Sequence, residues 1–309
     1  MAATATTDPV TVAVVVPHLD QLRALRRCLS ALAWGTRAPD EIVVVDNGSR
    51  RAPPADLWGA LPGARLLTEA TPGPGPARNA GISATRSPVL AFVDADCVPA
   101  PDWLERIAET FATGTDDVLG GDVRIGPAPP APGDEVAAYE ALYAYRMDRY
   151  IAREGFSGTG NLAMRRRVWA RVGPFAGIGV AEDRDWGRRA AAAGVALRHV
   201  PGMRVHHPAR ASLDELRAKW DRHVAHDFAE LPPGARSRLR WALKAAALPL
   251  SPLAELPRIA TTDRLDGYAM RRDAWRGLVA IRRHRAARMR ALLSRPQDGP
   301  ALAAAWNRA

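Results

Sequence analysis

Unbroken apolar runs alternate with helical spacing over the first hundred residues. Residues 11–16 (TVAVVV) are β-branched and stop at Pro17, and residues 41–46 (EIVVVD) stop at Asn47-Gly48-Ser49. Residues 89–98 (VLAFVDADCV) are framed by Ser87-Pro88 and Pro99. Runs this apolar on both faces read as strands buried in a parallel sheet. Residues 64–68 are a candidate third strand. Between the runs, Leu22, Leu25, Leu29 and Leu32 recur at three and four, which predicts a helix with Asp20 as its cap. Residues 71–76 (TPGPGP) form a rigid loop, because alternating Gly and Pro support no regular structure. Helices are predicted over 77–85 and 102–111. The alternation predicts an α/β domain with a mostly parallel central sheet flanked by helices.

The pattern loosens beyond residue 115. Residues 117–125 read as a strand with a Gly-Gly break, and 135–153 as one helix. Tyr139, Tyr143 and Tyr150 recur along it at four and seven, and Tyr139 and Tyr143 read as core. Residues 155–161 (GFSGTGN) read as a flexible loop. A helix over 182–193 is closed by Gly194, short extended pieces follow at 196–200 and 203–207, and Ser212 caps a helix running to about residue 228. Pro232-Pro233-Gly234 is a linker. Beyond it, 238–248 and 270–293 are helical and dense in Arg, with Trp275, Leu278, Val279, Ala286, Met289 and Leu293 roughly on one face. These divisions predict a disordered N-terminus (1–9), a catalytic domain (10–231) and a basic helical C-terminal extension (235–309).

Charge sharpens that division. The chain of 309 residues has a formal net charge of +10, yet residues 1–234 carry 27 Lys+Arg against 28 Asp+Glu. Residues 235–309 carry 16 against 5, so the whole basic excess lies in the last quarter. Such asymmetry suggests an appendage that meets an anionic surface; the competing reading packs the helices on the catalytic domain with Arg on the solvated side. A basic n-region and an apolar h-region are not seen at the start, and no run approaches the roughly 20 apolar residues of a membrane span. Cys28 and Cys97 have no metal spacing and read as buried free thiols in a reducing compartment.

Asp94 and Asp96 stand two apart at the end of an apolar run, where ligands of open α/β sheets bind. In extended backbone they share a side. Paired carboxylates there suit a hard divalent cation shared with substrate phosphates; the bland alternative is that Asp merely turns the chain. Arg78 and Asn79 follow the Gly/Pro loop at a helix start, where backbone N–H groups favour phosphate and Arg adds a planar fork. Glu182 and Asp183 also open a helix, where acids are stabilised by the macrodipole whether or not they are catalytic. That dipole lowers a carboxylate pKa. Asp185 and Arg189, four apart, read as a structural pair. In the strand containing His206 and His207, one imidazole faces inward and one outward, and His206 is favoured inward.

Five stretches together resemble glycosyltransferase family 2, the inverting, nucleotide-sugar-dependent enzymes of the A-type glycosyltransferase fold. They are VVVPHLD at 14–20, VVVDNGS at 43–49, GPGPARNAGI at 73–82, FVDADC at 92–97 and EDRDWGRRAAAAG at 182–194, with VHH at 205–207 matching a further histidine. Asp20 stands where the family's first turn usually has Asn. The likeness covers about residues 10–210. The resemblance implies a donor site at Pro17, Asp46, Arg78, Asn79, Asp94 and Asp96. Asp46 would bond the donor's base, since an ionised carboxylate accepts only and suits the N3–H of uracil or the N1–H and amino edge of guanine. Asp94, Asp96 and His206 would hold Mn²⁺ or Mg²⁺, Asp183 would be the catalytic base with Glu182 its rival, and Gly158, Thr159, Gly160 and Asn161 would line the acceptor site.

The expected activity is therefore metal-dependent, inverting transfer of a sugar, from UDP by preference, to an unidentified acceptor hydroxyl in cell-envelope or glycoconjugate synthesis. The expected location is cytoplasmic, with peripheral contact between residues 235–309 and an anionic membrane, and no nucleic acid partner. The alternative is a non-catalytic α/β protein that binds an anionic membrane or nucleic acid through its tail. The intact set of Asp94, Asp96 and Asp183 argues against it. An oxidoreductase of the dinucleotide-binding kind is weaker still, because no G-x-G-x-x-G follows the first strand.

Overall fold

The computed structural model describes residues 10–54, 57, 61, 63–127 and 130–294. The segment 1–9, expected to be disordered, and residues 295–309 of the basic extension lie outside the described residues. The chain divides into two compact units: residues up to 127 with 145–207, and residues 128–144 with those from 208 onward. The units do not part at the Pro232-Pro233-Gly234 linker. Segments 130–144 and 208–229, expected in the catalytic domain, group with the chain that follows the linker.

The first unit is built on a mixed sheet. Its strands are β1 (Val12–His18), β2 (Glu41–Asp46), β3 (Arg65–Thr68), β4 (Val89–Val93), β5 (Val98–Pro99), β6 (Val118–Ile125), β7 (Asn161–Arg165) and β8 (Leu197–His207), in the order β3-β2-β1-β4-β7-β6-β8-β5. The pairs β3–β2, β2–β1, β1–β4 and β6–β8 are parallel, whereas β7 runs antiparallel to β4 and β6, and β5 antiparallel to β8. The helices are α1 (Leu22–Ala33), α2 (Pro74–Ser83), α3 (Trp103–Thr113), α5 (Met147–Glu154), α6 (Arg166–Val172) and α7 (Glu182–Ala192); α4 belongs to the second unit. Alternation along β1 sends Val12, Val14 and Val16 into one core with Leu25 and Leu29 of α1, and Ala13 and Val15 into another with Phe92 and Trp186. Each buried Val, Leu or Phe among them contributes roughly 1.5–3 kcal/mol. This two-sided burial is why the strands read as continuous apolar runs.

Several expectations change. Residues 89–98 are not one strand: β4 stops at Val93, and a turn closed by the Cys97 N–H on the Asp94 carbonyl (3.0 Å) leads into β5. The turn reading was thus right about backbone, yet Asp94 and Asp96 remain half-buried on one side while Ala95 and Cys97 point into the core. Asp20 does not cap α1; it sits in the left-handed region (φ 54°), and Gln21 precedes the helix. The single helix expected over 135–153 breaks at Tyr145, also left-handed (φ 50°). The two pieces expected at 196–207 are one strand, β8. β7 was not expected: only its first residue, Asn161, falls in the loop read over 155–161, and its apolar stretch is only Leu162-Ala163-Met164.

The second unit is helical: α4 (Glu135–Tyr143), α8 (Leu213–Ala229), α9 (Ala235–Ala247), a 3-10 helix (Leu248–Glu255), α10 (Leu256–Thr261) and α11 (Gly267–Ser294). Ser212 caps α8 as expected, its Oγ accepting from the Glu215 N–H. Met270, Ala274, Leu278, Ile281, Ala286, Met289 and Leu292 of α11 are all buried. Gly277 lets α4 approach closely, since a Cβ there would stand 2.6 Å from the Glu135 carbonyl and 2.8 Å from Tyr139 Cβ. Tyr139 is core, as its spacing predicted. Residues 270–293 are thus packed within this unit. Among the described residues, no helix is long and apolar enough to cross a membrane.

Candidate active site

The ends of β1 and β2 build one wall. His18 Nδ1 donates to Asp46 Oδ1 (3.0 Å), and Ser49 Oγ donates to the same oxygen. The tautomer follows from the other ring nitrogen: Nε2 accepts the Gln21 N–H at 3.1 Å, so the proton of a neutral ring is on Nδ1. Asp46 is buried, and among the described residues its Oδ2 accepts no hydrogen bond. A fixed carboxylate with one lone oxygen can take a single N–H donor. Pro17 lies in β1 opposite Val45, half-buried. Asp20 takes the Arg50 N–H and Nε, so it braces the 47–50 turn.

Helix α2 does different work from that expected. Arg78 is 2% exposed, and its Nη1 and Nη2 donate to Glu182 Oε1 (3.0 Å) and Asp94 Oδ1 (2.5 Å). Burial disfavours the guanidinium charge, but the carboxylates of Asp94 and Glu182 more than offset it and raise the pKa. Arg78 was expected on phosphate; instead its two Nη groups meet two carboxylates from other parts of the chain, while its buried Nε has no partner among the described residues. Asn79, also expected at the donor, clamps the Phe175 backbone, donating to its carbonyl and accepting from its N–H. A Cβ on Gly75 would come within 2.0 Å of the Ala176 carbonyl, so only glycine allows that contact. Asn47 Oδ1 accepts the Gly73 N–H, tying the same loop to β2. The GPGPARN segment is thus a dock for the chain that leads into α7.

Asp96 faces His207, with Oδ2 3.4 Å from Nε2. Burial works against ionising this carboxyl, but the histidine's hydrogen bond and charge outweigh it and hold the pKa below its ordinary value. Tyr145 packs at a tilt against His207, 4.6 Å between ring centroids, its hydroxyl 3.1 Å from Nε2. The inward histidine is therefore His207, not His206. The alternation was right and the choice of residue was not: His206 lines a groove of about 620 Å³ with Asp102, Arg106, Arg198 and Arg204. Asp94 Oδ2 lies against Gly160, where a Cβ would stand 2.4 Å away.

The loop expected to line the acceptor site is largely interior. Asn161 is fully buried, with Oδ1 accepting from Trp103 Nε1 and Nδ2 donating to the carbonyls of Asp122 and Met203. Every polar atom of that amide is used in joining β6, β7, β8 and α3, so it is unavailable to a ligand. Thr159 is also buried, and a Cβ on Gly158 would press on Met147. Of the four residues expected there, Gly158 and Gly160 are half-exposed.

Asp183 opens α7 beside Glu182. Its pKa is raised to about 6, first by burial and then by the Glu182 charge. The lowering expected from the helix dipole is outweighed. Asp185 and Arg189 pair at 2.9 Å, as their spacing predicted.

The family model for glycosyl transferase family 2 matches residues 13–173. The chain belongs to glycosyltransferase family 2. It is a nucleotide-sugar-dependent glycosyltransferase, the class of enzyme that the five stretches implied. A glycosyltransferase of Haloferax volcanii, AglE, is 31% identical over 216 residues, 68% of this chain and 70% of its own length. The mannosyltransferase PcManGT of Pyrobaculum calidifontis, solved with GDP-Man and Mn²⁺, shares the fold at a TM-score of 0.60 and 18% identity, over 94% of this chain and 88% of that one. Glucosyl-3-phosphoglycerate synthase of Mycobacterium tuberculosis, solved with Mn²⁺, UDP and phosphoglyceric acid, shares it at 0.51 and 22% identity, over 72% and 80%.

In this glycosyltransferase the groups available to a divalent cation at the acidic turn are Asp94, Asp96 and His207. Among the described residues no three His, Cys, Asp or Glu side chains cluster tightly enough to hold an ion unaided. Two carboxylates and an imidazole still fit a cation whose remaining positions go to diphosphate oxygens and water. Sequence reasoning missed His18, Tyr145 and His207. His18 was legible only as a turn residue, and Tyr145 only as part of a helix. The pairing of Arg78 with Asp94 and Glu182 spans 104 residues and leaves no local signal.

Proposed function

We propose that this glycosyltransferase moves a sugar, with inversion at the anomeric carbon, from a uridine diphosphate sugar to an acceptor hydroxyl. Mn²⁺ or Mg²⁺ would be held by Asp94, Asp96 and His207. The observation that carries this reading is the buried Arg78 fork, which joins the acidic turn to the start of α7 through Asp94 and Glu182. Asp46 accepts the uracil N3–H on its open Oδ2. The bound cation supplies positive charge for the departing diphosphate. Glu182 is paired with Arg78 and acts as a positioning residue, leaving Asp183 to take the proton of the acceptor hydroxyl. A carboxylate with a pKa near 6 suits that task, because general bases work best poised near the operating pH. The nucleotide and Mn²⁺ complexes of the two fold neighbours are in keeping with this reading. A cytoplasmic place at the inner face of an anionic membrane, in cell-envelope or glycoconjugate synthesis, completes the proposal.

The test is a screen of UDP-, GDP- and dTDP-sugars with Mn²⁺, Mg²⁺ or excess chelator, following nucleotide release. UDP release that chelator abolishes is the expected result. Preference for a GDP-sugar would move Asp46 to the guanine edge, and full turnover in chelator would remove the metal.

A further inference from the structure

The basic excess of the second unit is not uniform. On α11 and its neighbours many cations are spent internally: Arg210 pairs with Glu140, Arg258 and Arg282 with Glu255, and Arg288 and His284 with Asp221, while Arg283 and Arg290 are exposed and meet no acid among the described residues. On α9 none is spent in this way. Arg236, Arg238 and Arg240 are exposed, and among the described residues none meets an acid; Lys244 lies only over the Trp241 ring. Beside them the largest exposed aliphatic side chains of the unit come in sequence: Leu239, Leu243, Leu250, Leu253 and Leu256, 46–70% exposed.

Helix geometry puts these two features together. At about 100° per residue, the buried residues Trp241, Ala245 and Leu248 define the inner face, and Leu239 and Leu243 point almost directly away from it. Arg236, Arg240 and Lys244 flank the leucines on one side and Arg238 on the other. The 3-10 helix continues the ridge, since residues three apart eclipse there and Leu250 and Leu253 fall in line. Trp241 fixes the inner face: it packs with Val224, Met289 and Leu292, and its Nε1 donates to the Met289 carbonyl at 3.0 Å.

We propose that the exposed ridge of α9 and the following 3-10 helix is a docking surface for an anionic lipid bilayer, with the leucines in the acyl boundary and the unpaired arginines on headgroup phosphates. Apolar face and cationic rim are both needed for that occupant. A nucleic acid would use the arginines and leave the leucines without a partner. A second copy would bring a like-charged rim against this one. The inference stands apart from the catalytic proposal, because no residue of the ridge is in the site.

The test uses the full chain and vesicles of phosphatidylcholine with phosphatidylglycerol, against pure phosphatidylcholine, read by co-sedimentation. Binding to the anionic vesicles alone, weakened by salt, is expected. Each cation near such a surface contributes roughly a fivefold gain, so Arg236→Gln/Arg238→Gln/Arg240→Gln should cost on the order of a hundredfold. Leu243→Glu/Leu253→Glu should cost at least about tenfold, with circular dichroism and hydrolysis of a soluble nucleotide-sugar unchanged. The same change at exposed Tyr268, Tyr268→Glu, should leave binding intact. Absence of wild-type binding at low salt, or binding that survives both sets of substitutions, would overturn the proposal. So would a leucine variant that turns a dimer into a monomer without altering vesicle binding, or tight binding to DNA in place of vesicles.

Discussion

Replacing Arg78 separates its two possible roles. In Arg78→Gln the charge is gone and two carboxylates lose their partner. Removing one partner of a buried ion pair costs about 3–5 kcal/mol. Here the Asp94 side chain is 38% exposed and Glu182 16%, so water recovers part of that. The expected loss is about 2–4 kcal/mol, a fall in the unfolding midpoint of roughly 5–15 °C. Arg78→Lys keeps the charge, but one ammonium cannot reach both carboxylates as a fork does. It should lose about 1.5–3 kcal/mol, the worth of one hydrogen bond to a charged partner. Denaturant unfolding gives the stability, and Mn²⁺ titration of nucleotide release gives the metal affinity. Both should fall together, because Arg78 holds Asp94. If Arg78→Lys retains stability and metal affinity but raises the KM for donor, the guanidinium is on the phosphates as its sequence position suggested, and the buried fork is refuted.

Asp183 gives a pH prediction. Its folded pKa of about 6 lies above the ordinary 3.8, so the folded state holds the proton more tightly, and stability falls as pH rises between those values and is level above. Asp183→Asn should therefore gain on the order of 1–3 kcal/mol at pH 8 and little at pH 4, seen as a pH-dependent difference in unfolding midpoint, while transfer drops about 10²–10⁴-fold with nucleotide affinity retained. In the wild type kcat/KM should fall below pH about 6; a flat profile, or loss in Glu182→Gln alone, would move the base. His207→Ala and Asp96→Asn should weaken Mn²⁺ dependence in titrations of activity, and His206→Ala should not. Gly160→Ala, which sets a Cβ against Asp94 Oδ2, should cut turnover at least about tenfold with little change in unfolding.

Much of the fold is written locally. β1, β2 and β4 are buried on both faces, so each must be a continuous apolar run, and the run is visible without a structure. Leu25, Leu29 and Leu32 of α1, and the caps Ser212 and Gly194, are equally local, because helical periodicity and terminal hydrogen bonds act within a few residues. The residue types of the site were legible for the same reason: carboxylates at strand and helix ends stay near the point where the backbone leaves them. Their partners were not legible. Whether Arg78 meets phosphate or Asp94 and Glu182, whether His206 or His207 reaches Asp96, and whether Asn161 faces a ligand or knots three strands together depend on which distant segments meet. Those meetings are set by sheet order, with β7 reversed between β4 and β6, and by backbone approaches such as Gly75 on Ala176. The Asp183 pKa has the same origin: the helix dipole is in the sequence, but the burial and the Glu182 charge that overcome it exist only in the folded chain.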